Sequence, residues 1–225
     1  MARRVDRPAP GDVLVLWNRP AAKEVEGRRF ESAGARVMVV ENGYLGKNWN
    51  GQKWFSLAWG HHAGAGMWPD HGSDRWDSWG VQMAPWRTDG SEMLILAQRG
   101  IGEPGIASPR GWAESVQQRI GGRIRSHPGA NAHPVPLLED LANASSVVTW
   151  HSAAALHALL LGVPVWHAFD RWIGADAARP LSEFGSEPRK DDARRLSTMR
   201  RMAWAMWNAE EVRSGAAFRS LMCTS

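Results

Sequence analysis

Short apolar runs alternate with amphipathic segments along the first part of the chain. Residues 12–17 form an apolar run rich in β-forming side chains, a helical pattern covers residues 21–33, and a second apolar run covers residues 36–40. A strand, a helix and a second strand at this spacing make a βαβ unit. The pattern therefore predicts a small parallel sheet in the N-terminal half.

A second series of alternating elements begins near residue 93. The expected strands are residues 93–97, 123–125, 146–149 and 163–166, and the expected helices are residues 112–120, 136–143 and 153–161. Such continuously apolar strands are typical of a parallel sheet that helices cover on both faces. Residues 42–90 show little periodicity, and we interpret them as a loop-rich completion of the first half.

These patterns predict an α/β protein with two Rossmann-like, parallel-sheet halves. The N-terminal half covers residues 1–90, the C-terminal half covers residues 91–188, and basic helices cover residues 189–225. No stretch approaches the ~20 apolar residues that span a bilayer. Cys223 is the single cysteine, so neither an internal disulfide nor a cysteine-based zinc site is expected. A cytoplasmic location is the simplest interpretation.

Charge and tryptophan content point to anionic and planar partners. The formal net charge is +4, and basic chains tend to meet nucleotides or nucleic acids. The chain has 14 tryptophans and one tyrosine, and residues 49–86 contain half of these tryptophans in a polar, glycine-rich segment. Because indoles stack on sugars and bases, we expect this segment to lie at the surface and to serve an acceptor.

Polar residues follow four of the expected strands, at residues 41–44, 98–105, 126–128 and 149–152. In an open α/β sheet, ligands bind beyond the carboxyl ends of the strands. Four polar segments at such ends predict a ligand site between the two halves.

Three of these segments carry candidate phosphate contacts. The spacing of Gly100, Gly102 and Gly105 resembles a dinucleotide fingerprint, but Pro104 interrupts the expected helix start and no acid ends the next strand. A glycine loop next to Arg99 is still a plausible phosphate cradle. His127 and Ser152 are further candidates because Ser152 precedes a predicted helix N-terminus. The alternatives are a helix cap for Ser152 and a buried strand-end histidine for His127.

Residues 124–128 (IRSHP), 147–152 (VVTWHS) and 158–165 (ALLLGVPV) resemble the donor half of GT-B glycosyltransferases. The similarity is greatest to capsular-polysaccharide transferases and bacterial sialyltransferases, which carry an HP motif and a later serine motif for the donor phosphate. Residues 41–45 resemble the acidic motif of their N-terminal half, although the second acid is Asn42 here. The resemblance covers residues 12–180 and implies a compact GT-B-like fold, a nucleotide-sugar co-substrate and no cofactor.

The resemblance and the strand-end pattern together give each candidate residue a role. Glu41 is the expected general base. The expected donor-binding residues are Arg99, Gly100, Gly102, Arg125, His127 and Ser152. The expected acceptor-binding residues are Asn18, Tyr44, Trp54, Trp59 and Trp68. No metal is expected, because the spacing of His61, His62, Asp70, His71 and Asp74 matches no standard site.

Two acceptors remain open at this point. One is a saccharide or lipid-linked glycan, and the other is a hydroxylated base in double-stranded DNA, as for phage-type DNA-modifying glycosyltransferases acting in a host cytoplasm. The basic charge and the tryptophan-rich segment slightly favour DNA. The rival functions are a non-catalytic nucleic-acid-binding module and another nucleotide-dependent α/β enzyme.

Overall fold

Two separate β-sheets organise the chain in a computed structural model, which describes residues 7–62, 65–127, 129 and 135–223. Sheet A has the strand order β1-β2-β3-β9, with β1 (Val13–Trp17), β2 (Arg36–Asn42), β3 (Trp54–Trp59) and β9 (Met206–Asn208). Sheet B has the order β5-β4-β6-β7-β8, with β4 (Glu92–Leu96), β5 (Arg123–Arg125), β6 (Ala144–Thr149), β7 (Val165–His167) and β8 (Arg179–Pro180). The expected α/β fold with two sheets is confirmed.

Sheet A is mixed rather than wholly parallel. β1 and β2 are parallel and α1 (Ala21–Ser32) connects them, as the βαβ pattern predicts. β3 then pairs antiparallel with β2, and β9 pairs antiparallel with β3. α1 covers one face of the sheet through Phe30, and α8 (Ala216–Met222) covers the other through Leu221. The short helix α7 (Ala209–Arg213) connects β9 to α8.

Sheet B is parallel throughout, and helices cover both of its faces. α3 (Trp112–Ile120) packs against the face that carries Ile95 and Val148. α5 (Ala154–Leu160) and α6 (Asp192–Ala203) pack against the face that carries Leu94 and Val147. The helices α2 (Asp74–Ser78) and α4 (Leu137–Ala142) complete the layers. Successive strand residues therefore alternate between two buried faces.

A single apolar cluster joins the two halves. Tyr44, Leu45 and Trp54 from the first half belong to the same buried cluster as Leu96 and Leu156 from the second. β9 also returns the end of the chain to sheet A, so the segment expected as basic helices contains a strand that completes the first sheet.

The expectation that the tryptophan-rich segment lies at the surface is wrong for three of its indoles. Trp54, Trp59 and Trp76 are 5%, 6% and 3% exposed. The indole N–H of Trp54 donates to the Trp49 carbonyl at 2.9 Å, and that of Trp59 donates to the Leu221 carbonyl at 3.0 Å. Main-chain carbonyls thus satisfy the polar edges that the Trp54 and Trp59 rings bring into the core.

The described helices include none that is both long enough and apolar enough to cross a membrane. Pro128 of the HP motif lies outside the described residues.

Candidate functional site

A cavity of about 420 Å³ lies where the carboxyl ends of strands from both sheets meet. We call it the inter-sheet cavity. Sheet A and its following loop contribute Trp17, Asn18, Glu41, Asn42, Tyr44 and Lys47, and sheet B contributes Gln98, Arg99, Gly100, Arg125, His127, Ser152 and His157. This position follows the rule that ligands of α/β sheets bind beyond the strand ends.

The structure brings most of the expected site residues to this one cavity. Those lining it are Asn18, Glu41, Tyr44, Arg99, Gly100, Arg125, His127 and Ser152. Four expected residues do not line it, namely Trp54, Trp59, Trp68 and Gly102. The three indoles are buried or half-buried elsewhere, which removes the part of the DNA argument that depended on exposed rings. Gly102 instead lies against the rings of His61 and His62, with a φ of +127°.

Glu41 is held on the sheet A side of the cavity. It is the last residue but one of β2, where it pairs with Ser56 of β3, so it lies inside the strand and not after it as expected. Beside it, Asn18 has a φ of 55°, and its N–H donates to the Val40 carbonyl at 3.0 Å. This left-handed turn ends β1 next to the half-buried Glu41.

His127 lies on the opposite side as a neutral donor. Its Nδ1 accepts a hydrogen bond from the Gly129 N–H at 2.9 Å, so the proton of the neutral ring is on Nε2. Burial, together with the positive charge of Arg99, lowers the pKa of His127 below its usual value of 6.5. Arg99 itself is exposed and forms no ion pair with the described residues.

Ser152 and Arg125 border the same side in different ways. The Ser152 hydroxyl accepts from the Ala154 N–H at 3.2 Å, and the Ser152 N–H donates to the Thr149 hydroxyl at 2.8 Å. Arg125 is buried, ion-paired with Asp140, and donates to the Val135 carbonyl at 3.1 Å. Burial lowers the pKa of Arg125, and Arg123 adds to the effect. Arg125 therefore holds the strand end, whereas Arg99 offers a charge that no ion pair with the described part of the chain neutralises.

His151 supports the glycine loop, a role that the sequence analysis did not identify. The Gln98 side-chain amide donates to Nδ1 of His151 at 2.9 Å, and Nε2 of His151 donates to the Ile106 carbonyl at 3.0 Å. The Trp150 indole N–H donates to the same carbonyl at 2.8 Å. Burial lowers the pKa of His151 to about 4, so the ring is neutral at physiological pH.

A second cavity, of about 590 Å³, borders a group of possible metal ligands. In the part of the chain that the structure describes, the group with ligand atoms within 4.8 Å of one another is Glu24, His61 and Glu103. Asp70, His71 and Asp74 do not join it. Arg19 contacts Glu24 at 2.8 Å, and Arg28 contacts both Glu24 and Glu103. Guanidinium groups thus already supply the positive charge at this place.

Two α/β sheets with a cavity at the carboxyl ends of their strands form a GT-B-like fold. Among solved structures, the chain is similar to KpsC from Thermosulfurimonas dismutans, a beta Kdo 2,7 transferase, with a TM-score of 0.53 and 14% identity. The match covers 93% of this chain and 86% of that one. It agrees with the expected resemblance to capsular-polysaccharide transferases at the level of fold, and does not extend to sialyltransferases or phage enzymes.

Neither a protein-family model nor a curated protein matches the sequence.

Proposed function

We propose that this chain is a glycosyltransferase that moves a sugar from a nucleotide-sugar donor to a hydroxyl acceptor in the inter-sheet cavity. The observation that carries the proposal is the meeting of an acid from sheet A with a guanidinium, an imidazole and a hydroxyl from sheet B across one cavity. Glycosyl transfer develops positive charge on the sugar and negative charge on the departing phosphate, so it needs both kinds of group.

On the donor side, Arg99 and His127 bind the phosphate of the nucleotide. Arg99 supplies a full charge, and His127 supplies the Nε2–H of its neutral ring. The Ser152 hydroxyl lies on the same side of the cavity and adds a third polar contact. Hydrogen bonds to a charged group contribute about 1.5–3 kcal/mol each, enough for micromolar binding when several combine.

On the acceptor side, Glu41 acts as the general base. It takes the proton of the acceptor hydroxyl while that oxygen forms a bond to the anomeric carbon of the donor sugar. The bond between the anomeric carbon and the phosphate oxygen breaks, and the nucleotide leaves with the electron pair. The half-buried position of Glu41 at the end of β2 suits a carboxylate that must reach the acceptor.

Nucleotide release tests the proposal directly. The purified chain is incubated with a panel of nucleotide sugars, including a cytidine monophosphate-activated acidic sugar, with and without oligosaccharide acceptors. We expect release of nucleotide from one donor class and its loss in Arg99→Ala. The absence of both donor binding and nucleotide release across the whole panel would overturn the proposal. Salt-sensitive binding to duplex DNA without any turnover would favour the nucleic-acid-binding alternative.

A further inference from the structure

Trp17 is an exposed indole at the edge of the inter-sheet cavity. It is the last residue of β1, it is 47% exposed, and it lines the cavity together with Glu41. Leu16 on the other face of β1 is buried against α1, whereas Val15 and Trp17 share the exposed face of this edge strand, and of these two only Trp17 lines the cavity. An indole left open beside a cavity offers a broad apolar face and a polar N–H to a ligand.

The orientation of the Trp17 ring is restrained by one contact. The ring packs edge-on against Phe55, with a centroid distance of 6.3 Å and an interplanar angle of 87°. Lys53 lies over the Phe55 ring at 5.2 Å and supports the same cluster. The Trp17 indole N–H makes no hydrogen bond to the described residues, so it is available to an external hydroxyl. The ring is therefore held on one side and open on the other.

Trp17 and the proposed base border the cavity at neighbouring strand ends. Trp17 pairs in register with Val40, so side-chain alternation places the indole and the Glu41 side chain on opposite faces of sheet A. A ligand that contacts both must therefore cross the carboxyl ends of β1 and β2, where both residues line the cavity. Asn18, Asn42 and Lys47 line the cavity around this pair and offer amide and ammonium groups to hydroxyls.

We infer that Trp17 is the platform on which the sugar ring of a saccharide acceptor stacks, and that the acceptor crosses the strand ends from this platform to bring a hydroxyl to Glu41. An open indole face binds the C–H face of a sugar, while the neighbouring amides bind the hydroxyls. This inference depends on the proposed function and names its acceptor class.

The lining of the cavity favours a sugar over an extruded nucleobase. A flipped base is held by stacking between two apolar or aromatic side chains. Besides Trp17, the lining holds one large aromatic ring, Tyr44, which is 4% exposed and packs in the shared core. The other aromatic side chains in the lining are imidazoles, of which His62 and His151 are buried and His127 lies on the proposed donor side. Tyr44 is thus not open to form the second face of such a slot.

A binding measurement that needs no turnover tests this assignment. The chain is labelled with 5-fluorotryptophan, and the resonance of Trp17 is assigned by its absence in Trp17→Phe. The probes are hexose, hexosamine and ulosonic acid disaccharides, with a short DNA duplex as the rival. We expect at least one saccharide to shift the Trp17 resonance, and the duplex to leave it unchanged. A shift with DNA alone, or with no probe, would overturn the inference.

Kinetics separate a failure of this inference from a failure of the proposed function. With an active donor and acceptor pair, Trp17→Ala should raise the acceptor KM roughly 10-fold, the equivalent of ~1.4 kcal/mol. The donor KM should stay unchanged, and Trp17→Phe should restore most of the effect. Val15→Ala is the matched control, since Val15 is 50% exposed on the same face of β1 and does not line the cavity. An active enzyme whose acceptor KM is unchanged in Trp17→Ala would refute the platform alone.

Discussion

At the scale of single residues, Glu41 is the side chain on which the proposed chemistry depends most. Glu41→Gln keeps the size and the hydrogen-bonding ability of the side chain but removes the proton acceptor. We expect transfer to fall by ~10²-fold or more, with donor affinity and thermal stability unchanged. Initial rates, calorimetric titration with the nucleotide and thermal melts give the three values.

Glu26→Gln is the control for this substitution, because Glu26 is exposed on α1 and does not line the cavity. If Glu41→Gln is folded, binds the donor and transfers sugar at the parent rate, Glu41 has no part in the reaction. A loss of stability that parallels the loss of activity would instead assign Glu41 to the structure of β2.

His127 gives a second prediction at this scale. His127→Ala should weaken nucleotide binding about 10-fold or more, because a hydrogen bond to a charged phosphate is lost. His71→Ala serves as the control, since His71 is an exposed histidine outside the cavity. Equal affinities for His127→Ala and the parent chain in calorimetric titration would remove His127 from the phosphate site.

The low pKa of His127 adds a dependence on pH. The ring is neutral at pH 7 and gains a proton only when the pH falls below 6.5, the usual pKa of a histidine. A protonated ring binds a phosphate more strongly than a neutral one, so donor affinity should rise on acidification in the parent chain. The rise should be smaller in His127→Ala when both proteins are titrated between pH 7.5 and 5.5.

At the scale of secondary-structure elements, the sequence predicted sheet B well because its signals are local. The expected helix at residues 112–120 and the expected strand at residues 123–125 match α3 and β5. β3 was missed because nearly every residue of Trp54–Trp59 is buried, which leaves no alternation to detect. β9 is only three residues long and depends on pairing with β3, a contact that no local pattern encodes.

The candidate site shows the same contrast between residues that a local sequence pattern identifies and residues whose roles depend on tertiary contacts. The carboxyl ends of parallel strands meet at one edge whatever the details of packing, and Arg99, His127 and Ser152 accordingly line one cavity, while their roles stay predictions. The roles of the indoles depend on tertiary partners. Trp59, for example, packs beneath the guanidinium of Arg36 at 3.5 Å and against α8. Composition alone could not distinguish such a ring from an exposed one.

β9 leads to a prediction about the first sheet. Trp207 is 3% exposed, and the guanidinium of Arg75 lies 4.1 Å from the centre of its ring. Trp207→Ala should lower the free energy of unfolding by about 3–5 kcal/mol, as expected for deletion of a large buried aromatic side chain. Trp17→Ala is the matched control, because the same change at a half-open indole should cost far less. Urea unfolding of both variants measures the difference, and equal losses would contradict the core position of Trp207.

At the scale of the whole molecule, buried neutral histidines make the fold sensitive to mild acid. Burial lowers the pKa of His61 to about 3 and that of His151 to about 4, and burial also lowers the pKa of His157 and His167. The unfolded chain takes up protons at these positions once the pH falls below about 6.5, while the folded chain does not. Each such histidine therefore removes ~1.4 kcal/mol of stability per pH unit below that value, until its own folded pKa is reached. The lowered pKa values of carboxylates such as Glu24 affect stability only near their usual value of 4.5 and below, so the range from pH 6.5 to 4.5 reports on the histidines.

We expect the melting temperature to be nearly constant above pH 7 and to fall steeply between pH 6.5 and 4.5. His151→Gln keeps a side chain able to donate and accept hydrogen bonds and removes one of the titrating groups, so its melting temperature should decline less steeply with pH even if its value at pH 7 is lower. A parent protein whose melting temperature stays constant down to pH 4.5 would show that these histidines are not held neutral in the core.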